Sequence, residues 1–229
     1  MASILPSTPW RFRVDQLACR YLGRPVGHLT PRYVFDRSRV WVYQRRHPEA
    51  PWLTPKAIAI LTSMLRPAHD GLEYGSGRST VWFAQRTNSL ISVEASCIWY
   101  DRVREMISRQ ALGNVVYKYI PANPQFADDP HRASYIELDN AIAPGSRDYA
   151  LIDGFYRDAC ALRAIDLLKP GAMLIVDNAN WFIPHPTRSP FSVTVPASRQ
   201  WSEFLSCTAR WRLIWTSNGV WDTAIWFKT

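Results

Sequence analysis

This 229-residue chain has little of what marks several common protein classes. Its four cysteines (Cys19, Cys97, Cys160, Cys207) are scattered and form no Cys-x-x-Cys pair. That argues against a zinc ribbon or a disulfide scaffold and suits a reducing cytosol. No apolar run approaches the roughly 20 residues of a membrane-spanning helix. Residues 1–13 lack the apolar core, about 7–15 residues long, of a secretory signal. A cytoplasmic protein without a transmembrane segment is expected. There is no internal repeat and no low-complexity tract. Lysine is missing from residues 1–50, which carry nine arginines against three acids (Asp15, Asp36, Glu49). The rest of the chain is nearly balanced, so most of the net charge of +8 sits in that first segment. Such charge suits an anionic partner (RNA, a phospholipid surface or an acidic substrate), or it is plain solvated surface. No RNA-binding module signature accompanies it.

What is present is ample core material, with 47% hydrophobic residues against 20% charged. Disorder of the whole chain is thereby excluded. Residues 1–52 read as an arginine-rich extension and 53–229 as one domain. In the extension, Pro6, Pro9, Pro25 and Pro31 act as breakers; Val14–Leu22 suggests a helix and Tyr33–Tyr43 a packed extended piece. Thr54 followed by Pro55 is a helix start, and Pro67 is the stop. From residue 71 a regular alternation begins. Strands are expected at 71–74, 90–93, 115–120, 149–152 and 172–176. Helices are expected from Ser79, through Ile98–Ile107, from Asp158 to the Lys169-Pro170-Gly171 stop, and around Ser198–Leu205. Residues 121–132 and 182–196 read as polar or proline-rich loops. Trp211–Trp215 and Trp221–Phe227 flank Ser217-Asn218-Gly219 as a terminal antiparallel hairpin. Strands alternating with helices mean a doubly wound, mostly parallel α/β sheet, whose ligands sit at the carboxyl ends of the strands. Glu73, Glu94, Asp153, Asp177 and Asn178 fall there. A buried strand tip seldom carries a carboxylate without a partner.

The segment Glu73-Tyr74-Gly75-Ser76-Gly77-Arg78-Ser79-Thr80 joins a strand to a helix. Its two glycines allow a sharp turn and a close approach of backbone to ligand. The helix start adds exposed amides. Glu94, at the next strand end, can accept hydrogen bonds from two ribose hydroxyls. Taken alone, the pattern fits a nicotinamide dinucleotide or S-adenosylmethionine. A dinucleotide loop carries a third glycine where Thr80 stands. Glu73 would also repel a pyrophosphate yet suits the ammonium and amides of a methionine moiety.

On these residues the chain resembles the class I S-adenosylmethionine-dependent methyltransferases over about residues 55–229. The shared marks are the acidic-glycine motif Glu73–Gly77, the strand-two acid Glu94 and the terminal hairpin of strands six and seven. The resemblance implies a seven-stranded Rossmann-like sheet and a cofactor site of Glu73, Tyr74, Gly75, Ser76, Gly77, Ser79, Thr80, Glu94 and Asp153. A narrower resemblance links Leu151–Arg157 and Ala172–Asn178 to the catechol-type, metal-dependent O-methyltransferases. It implies one Mg²⁺ or Mn²⁺ held by Asp153, Asp177 and Asn178. Oxygen ligands select such a hard ion, which lowers the pKa of a bound hydroxyl.

In that group a lysine serves as general base where this chain has Tyr156. Arg157 follows and cannot act as a base at ordinary pH. His185, on the proline-rich loop, becomes the candidate base. Trp181, Phe182, His185, Arg188 and Phe191 on that loop, with six of eleven tryptophans in the last 49 residues, suit a flat or polyhydroxylated acceptor such as a sugar, a glycan or a catechol-like phenol. For the strand tryptophans, packing is the favoured role. An RNA methyltransferase is the alternative within this class, with nucleic acid a less favoured partner. A nicotinamide-dependent oxidoreductase and a non-catalytic nucleotide-binding module are the alternatives outside it. A homodimer is compatible with all of these.

Overall fold

The computed structural model describes residues 29–123, 129–138 and 142–229. Seven strands form one sheet: β1 (Asp70–Tyr74), β2 (Ser89–Glu94), β3 (Val115–Tyr119), β4 (Arg147–Ile152), β5 (Leu168–Asp177), β6 (Arg212–Ser217) and β7 (Asp222–Phe227). Their order is β3-β2-β1-β4-β5-β7-β6. The first five run parallel, and β7 is antiparallel to both β5 and β6. This is the expected doubly wound sheet with its closing hairpin. The chain winds outward from β1 through β2 and β3, then crosses back to β4 and β5. The crevice beside the tips of β1 and β4 is therefore the topological switch point, where such sheets bind ligands.

The helices are α1 (Pro31–Arg46), α2 (Pro55–Met64), α3 (Arg78–Ala84), α4 (Cys97–Arg109), α5 (Arg132–Glu137), α6 (Arg157–Leu167) and α7 (Arg199–Cys207). Alternate residues of the central strands feed two separate cores. Ala150, Ile152, Leu174 and Val176 pack with Ala161 and Ala164 of α6 and Trp201 and Phe204 of α7. Tyr149, Leu151, Met173 and Ile175 pack on the other face with Ile58 and Leu61 of α2 and Phe83 of α3. A central sheet covered on both faces accounts for the near-continuous apolar runs of β4 and β5. Each fully buried Leu, Ile or Val contributes about 1.5–3 kcal/mol.

Three expectations need correction. Tyr33–Tyr43 is not extended but lies within α1. Thr30 caps that helix by accepting from the Tyr33 amide, and Pro31 takes the first turn, so the same Thr-Pro signal works here as at Thr54-Pro55. Val40 of α1 packs on Val220 and Trp221, against the hairpin turn. The expected loop at 121–132 holds for its described residues up to His131, but Arg132 opens α5, a helix that was not expected, whose Tyr135 and Ile136 are buried. The Lys169-Pro170-Gly171 stop lies inside β5, because α6 already ends at Leu167. Gly171 (φ 80°) bonds to the Lys228 carbonyl there. The suggested helix Val14–Leu22 lies outside the described residues. Among the described residues no helix is long and apolar enough to cross a membrane.

Candidate functional site

The loop after β1 is built by close approach of two backbones. Gly75 has φ 90°, and a Cβ there would fall 2.4 Å from the Gly154 amide nitrogen. The tips of β1 and β4 are also tied by Asp153 N–H donating to the Tyr74 carbonyl (2.8 Å). Glu73 is fully buried beneath this loop. Its Oε2 accepts from the hydroxyls of Thr80 (2.6 Å) and Ser92 (2.5 Å). Burial pushes its carboxyl up to about 7, while the hydroxyls of Ser79, Ser92 and Thr80 pull the other way and the Asp153 charge adds to the rise. Ser92 was not singled out in the sequence; only the parallel register that sets it opposite Glu73 brings it in.

Glu94 ends β2 and is nearly buried, at 8% exposure. One carboxylate oxygen accepts from the amide and hydroxyl of Ser76 (3.1 and 2.8 Å), the other from the amides of Ala95 and Ser96 (both 2.9 Å). Burial raises its pKa, and these four donors oppose the rise. The Ser76 hydroxyl is further engaged by Tyr117 Oη (2.7 Å), and Trp99 Nε1 donates to the Ser76 carbonyl. Tyr117 and Trp99 thus join the site from β3 and α4, again without a mark in the sequence. The residues fit an adenosyl group. A fixed carboxylate stands at the strand tip, and the hydroxyl now on Glu94 Oε2 is a donor of the kind a ribose would bring. Two of the expected cofactor residues have side chains engaged within the protein. Tyr74 is fully buried and donates to the Ile136 carbonyl (2.6 Å), so its side chain belongs to the core. Thr80 accepts from the Gly77 amide (3.0 Å) while bonding Glu73, which makes it the lock of the α3 start.

At the tips of β4 and β5 the expected metal ligands are already engaged by other groups. Arg157, the first residue of α6, sends its guanidinium among them. Nη2 donates to the Asp153 carboxylate (2.6 Å) and carbonyl (2.8 Å). Nη1 donates to the Asp177 carbonyl (2.5 Å) and to Asn178 Oδ1 (3.4 Å). Nε donates to the Gly154 carbonyl (3.1 Å). The Asp177 carboxylate turns into the sheet, where its Oδ1 accepts from the Thr223 hydroxyl (3.1 Å). The residues present therefore do not fit the implied Mg²⁺. Among the described residues no group of three or more His, Cys, Asp or Glu side chains is arranged to hold a metal. Asn178 (φ 52°) and Tyr156 (φ 47°) are both left-handed, so the two strand ends turn sharply around the guanidinium.

Tyr156 donates its hydroxyl to Asp129 Oδ2 (2.6 Å), and burial followed by that bond raises the phenol above its ordinary value. It is held as a neutral donor. His185 lies stacked on Trp215, ring centroids 4.1 Å apart and planes 3° from parallel. Its Nδ1 is buried without a hydrogen bond. Burial lowers its pKa, with the Asp222 charge working against that, so the imidazole is neutral at neutral pH. Of the C-terminal tryptophans, Trp201, Trp221 and Trp226 are core residues, and one face of Trp215 is taken by His185. The packing role favoured for the strand tryptophans holds for Trp226, and burial likewise removes Trp201 and Trp221 as a wall for a sugar.

No family model matches the chain, and no curated protein does. Solved structures do match in fold. An O-methyltransferase from Bacillus cereus, in complex with SAH, aligns at 18% identity and TM-score 0.55, covering 95% of this chain and 97% of its own. A methyltransferase-like protein from Silicibacter pomeroyi aligns at 19% identity and TM-score 0.54, covering 78% and 88%. A methyltransferase from Geobacter sulfurreducens aligns at 13% identity and TM-score 0.51, covering 95% and 96%. The chain shares with them the Rossmann-like methyltransferase fold.

Proposed function

We propose that this protein is an S-adenosylmethionine-dependent methyltransferase acting on a hydroxyl of a small molecule. The observation that carries the reading is the Glu73–Gly77 loop and Glu94 side by side at the switch point of a seven-stranded sheet whose β7 is antiparallel. A dinucleotide oxidoreductase is disfavoured by that hairpin and by Thr80, which replaces the third glycine. S-adenosylmethionine supplies a methyl group on a sulfonium, whose transfer leaves a neutral thioether. The chain's own residues have three tasks. Glu94 accepts the ribose hydroxyls in exchange for Ser76. The Gly75–Gly77 backbone, with the Asp153 carboxylate nearby, receives the methionine moiety. His185, neutral and on the 182–196 loop, accepts the proton of the acceptor hydroxyl. Tyr156 cannot do so, because its hydroxyl is already committed to Asp129.

No step is assigned to Mg²⁺, since Arg157 stands among its expected ligands. The preference for a sugar or glycan rested partly on tryptophans that are core. What supports a polyhydroxylated acceptor is the loop's half-buried Phe182 and Phe191 beside its exposed Arg188. Titration calorimetry with S-adenosylmethionine against NADH tests the cofactor. A labelled-methyl screen over sugars, phenols and RNA tests the acceptor. Binding of NADH without S-adenosylmethionine would overturn the reading.

A further inference from the structure

We infer that Arg157 is the resident cation of the β4–β5 tip and that this protein holds no divalent metal there. The argument starts from valence. A guanidinium has five N–H donors in a fixed planar fork. All five find oxygen: the Gly154, Asp153 and Asp177 carbonyls, the Asp153 carboxylate and Asn178 Oδ1. The side chain is only 15% exposed, and Asp153 17%. Of the side-chain oxygens that a hard cation would recruit, those of Asp153 and Asn178 are therefore taken by a positive charge delivered by the chain itself, and the Asp177 carboxylate is turned to Thr223. An entering ion would have to displace five hydrogen bonds and then stand beside a cation that cannot lose its proton.

Saturation also defines what Arg157 does. With no donor left over, it cannot bind the acceptor oxygen, so it is a positioning residue. It fixes the Asp153 carboxylate and the spacing of the two strand ends. It also lies 5.5 Å from the centre of the Phe182 ring, at the root of the 182–196 loop. The inference builds on the methyltransferase reading only for the meaning of the site. The oxygens and the guanidinium stand without it.

The test is a Mn²⁺ titration of the full chain followed by electron paramagnetic resonance, which reads free ion and needs no turnover. The wild type is expected to leave the free-ion signal as in buffer. Arg157→Ala, or Arg157→Gln if the alanine variant does not fold, is expected to bind Mn²⁺ at least about tenfold more tightly. Adding Asp153→Asn to that variant should abolish the gain. Wild-type binding that Asp153→Asn removes would overturn the inference. So would a folded Arg157 variant as blind to Mn²⁺ as the wild type, because the guanidinium would then not be what excludes the ion. Calorimetry with S-adenosylmethionine on the same wild-type sample keeps the two readings apart. Its failure removes the methyltransferase assignment and leaves the metal result standing.

Discussion

Glu73→Gln isolates the energetics of the buried acid beneath the loop. Two of the hydroxyls that serve Glu73, from Thr80 and Ser92, donate into the same oxygen, Oε2. A glutamine carbonyl placed there keeps both bonds. Its amide takes the position of Oε1, which makes no hydrogen bond, much as the protonated acid would. The substitution therefore removes the charge while keeping the Thr80 and Ser92 bonds. The Glu73 carboxyl lies at about 7 in the fold against an ordinary 4.5. The folded state holds this proton more tightly than the unfolded chain does. Its contribution is thus most favourable below pH 4.5 and is lost as pH rises through about 7. At about 1.4 kcal/mol per pH unit, the loss from this one group is on the order of 3 kcal/mol. Urea unfolding of wild type and variant across this range is the assay. The difference in stability should tilt towards the variant by that amount between pH 4.5 and pH 7 or above, equivalent to roughly 6–12 °C in Tm for a chain of this size. A constant difference across the range would refute the account, for it would mean that Glu73 titrates alike in folded and unfolded chains.

Glu94→Gln should weaken S-adenosylmethionine binding about tenfold or more by calorimetry, because hydrogen bonds to a charged acceptor contribute roughly 1.5–3 kcal/mol. Unchanged affinity in a folded variant would remove Glu94 from the cofactor site. Gly75→Ala places a Cβ 2.4 Å from the Gly154 amide at φ 90°, so denaturant unfolding should show a loss of at least about 3 kcal/mol; a loss under about 1 kcal/mol would mean the two backbones separate freely. If His185 takes the acceptor proton, the acid limb of turnover should fall below the ordinary histidine value of 6.5, since burial lowers this imidazole. The base role fails if the limb stays in place in His185→Gln.

The strand-helix alternation, the Thr54-Pro55 helix start, the glycine loop and the closing hairpin were all legible in the sequence. They are written in local signals: apolar period, caps and turn residues. α1 carried the same Thr-Pro signal, but the proline-rich, arginine-dense surroundings of Pro31 read as irregular chain. The candidate site divides along similar lines. Acids at strand ends could be read directly, because strand length and direction place them on one edge of the sheet. Their partners could not. Ser92 meets Glu73 only through the β1–β2 register, and Tyr117 and Trp99 reach Ser76 from other elements. The Asp153, Asp177 and Asn178 pattern suggested a metal because the ligand types and spacing are right. The fold instead places Arg157 at the start of α6, after the left-handed Tyr156, and turns the Asp177 carboxylate towards Thr223. Which cation satisfies a set of oxygens depends on side-chain direction and on what lies within 3 Å. Long-range packing settles both, and neither can be read from order along the chain.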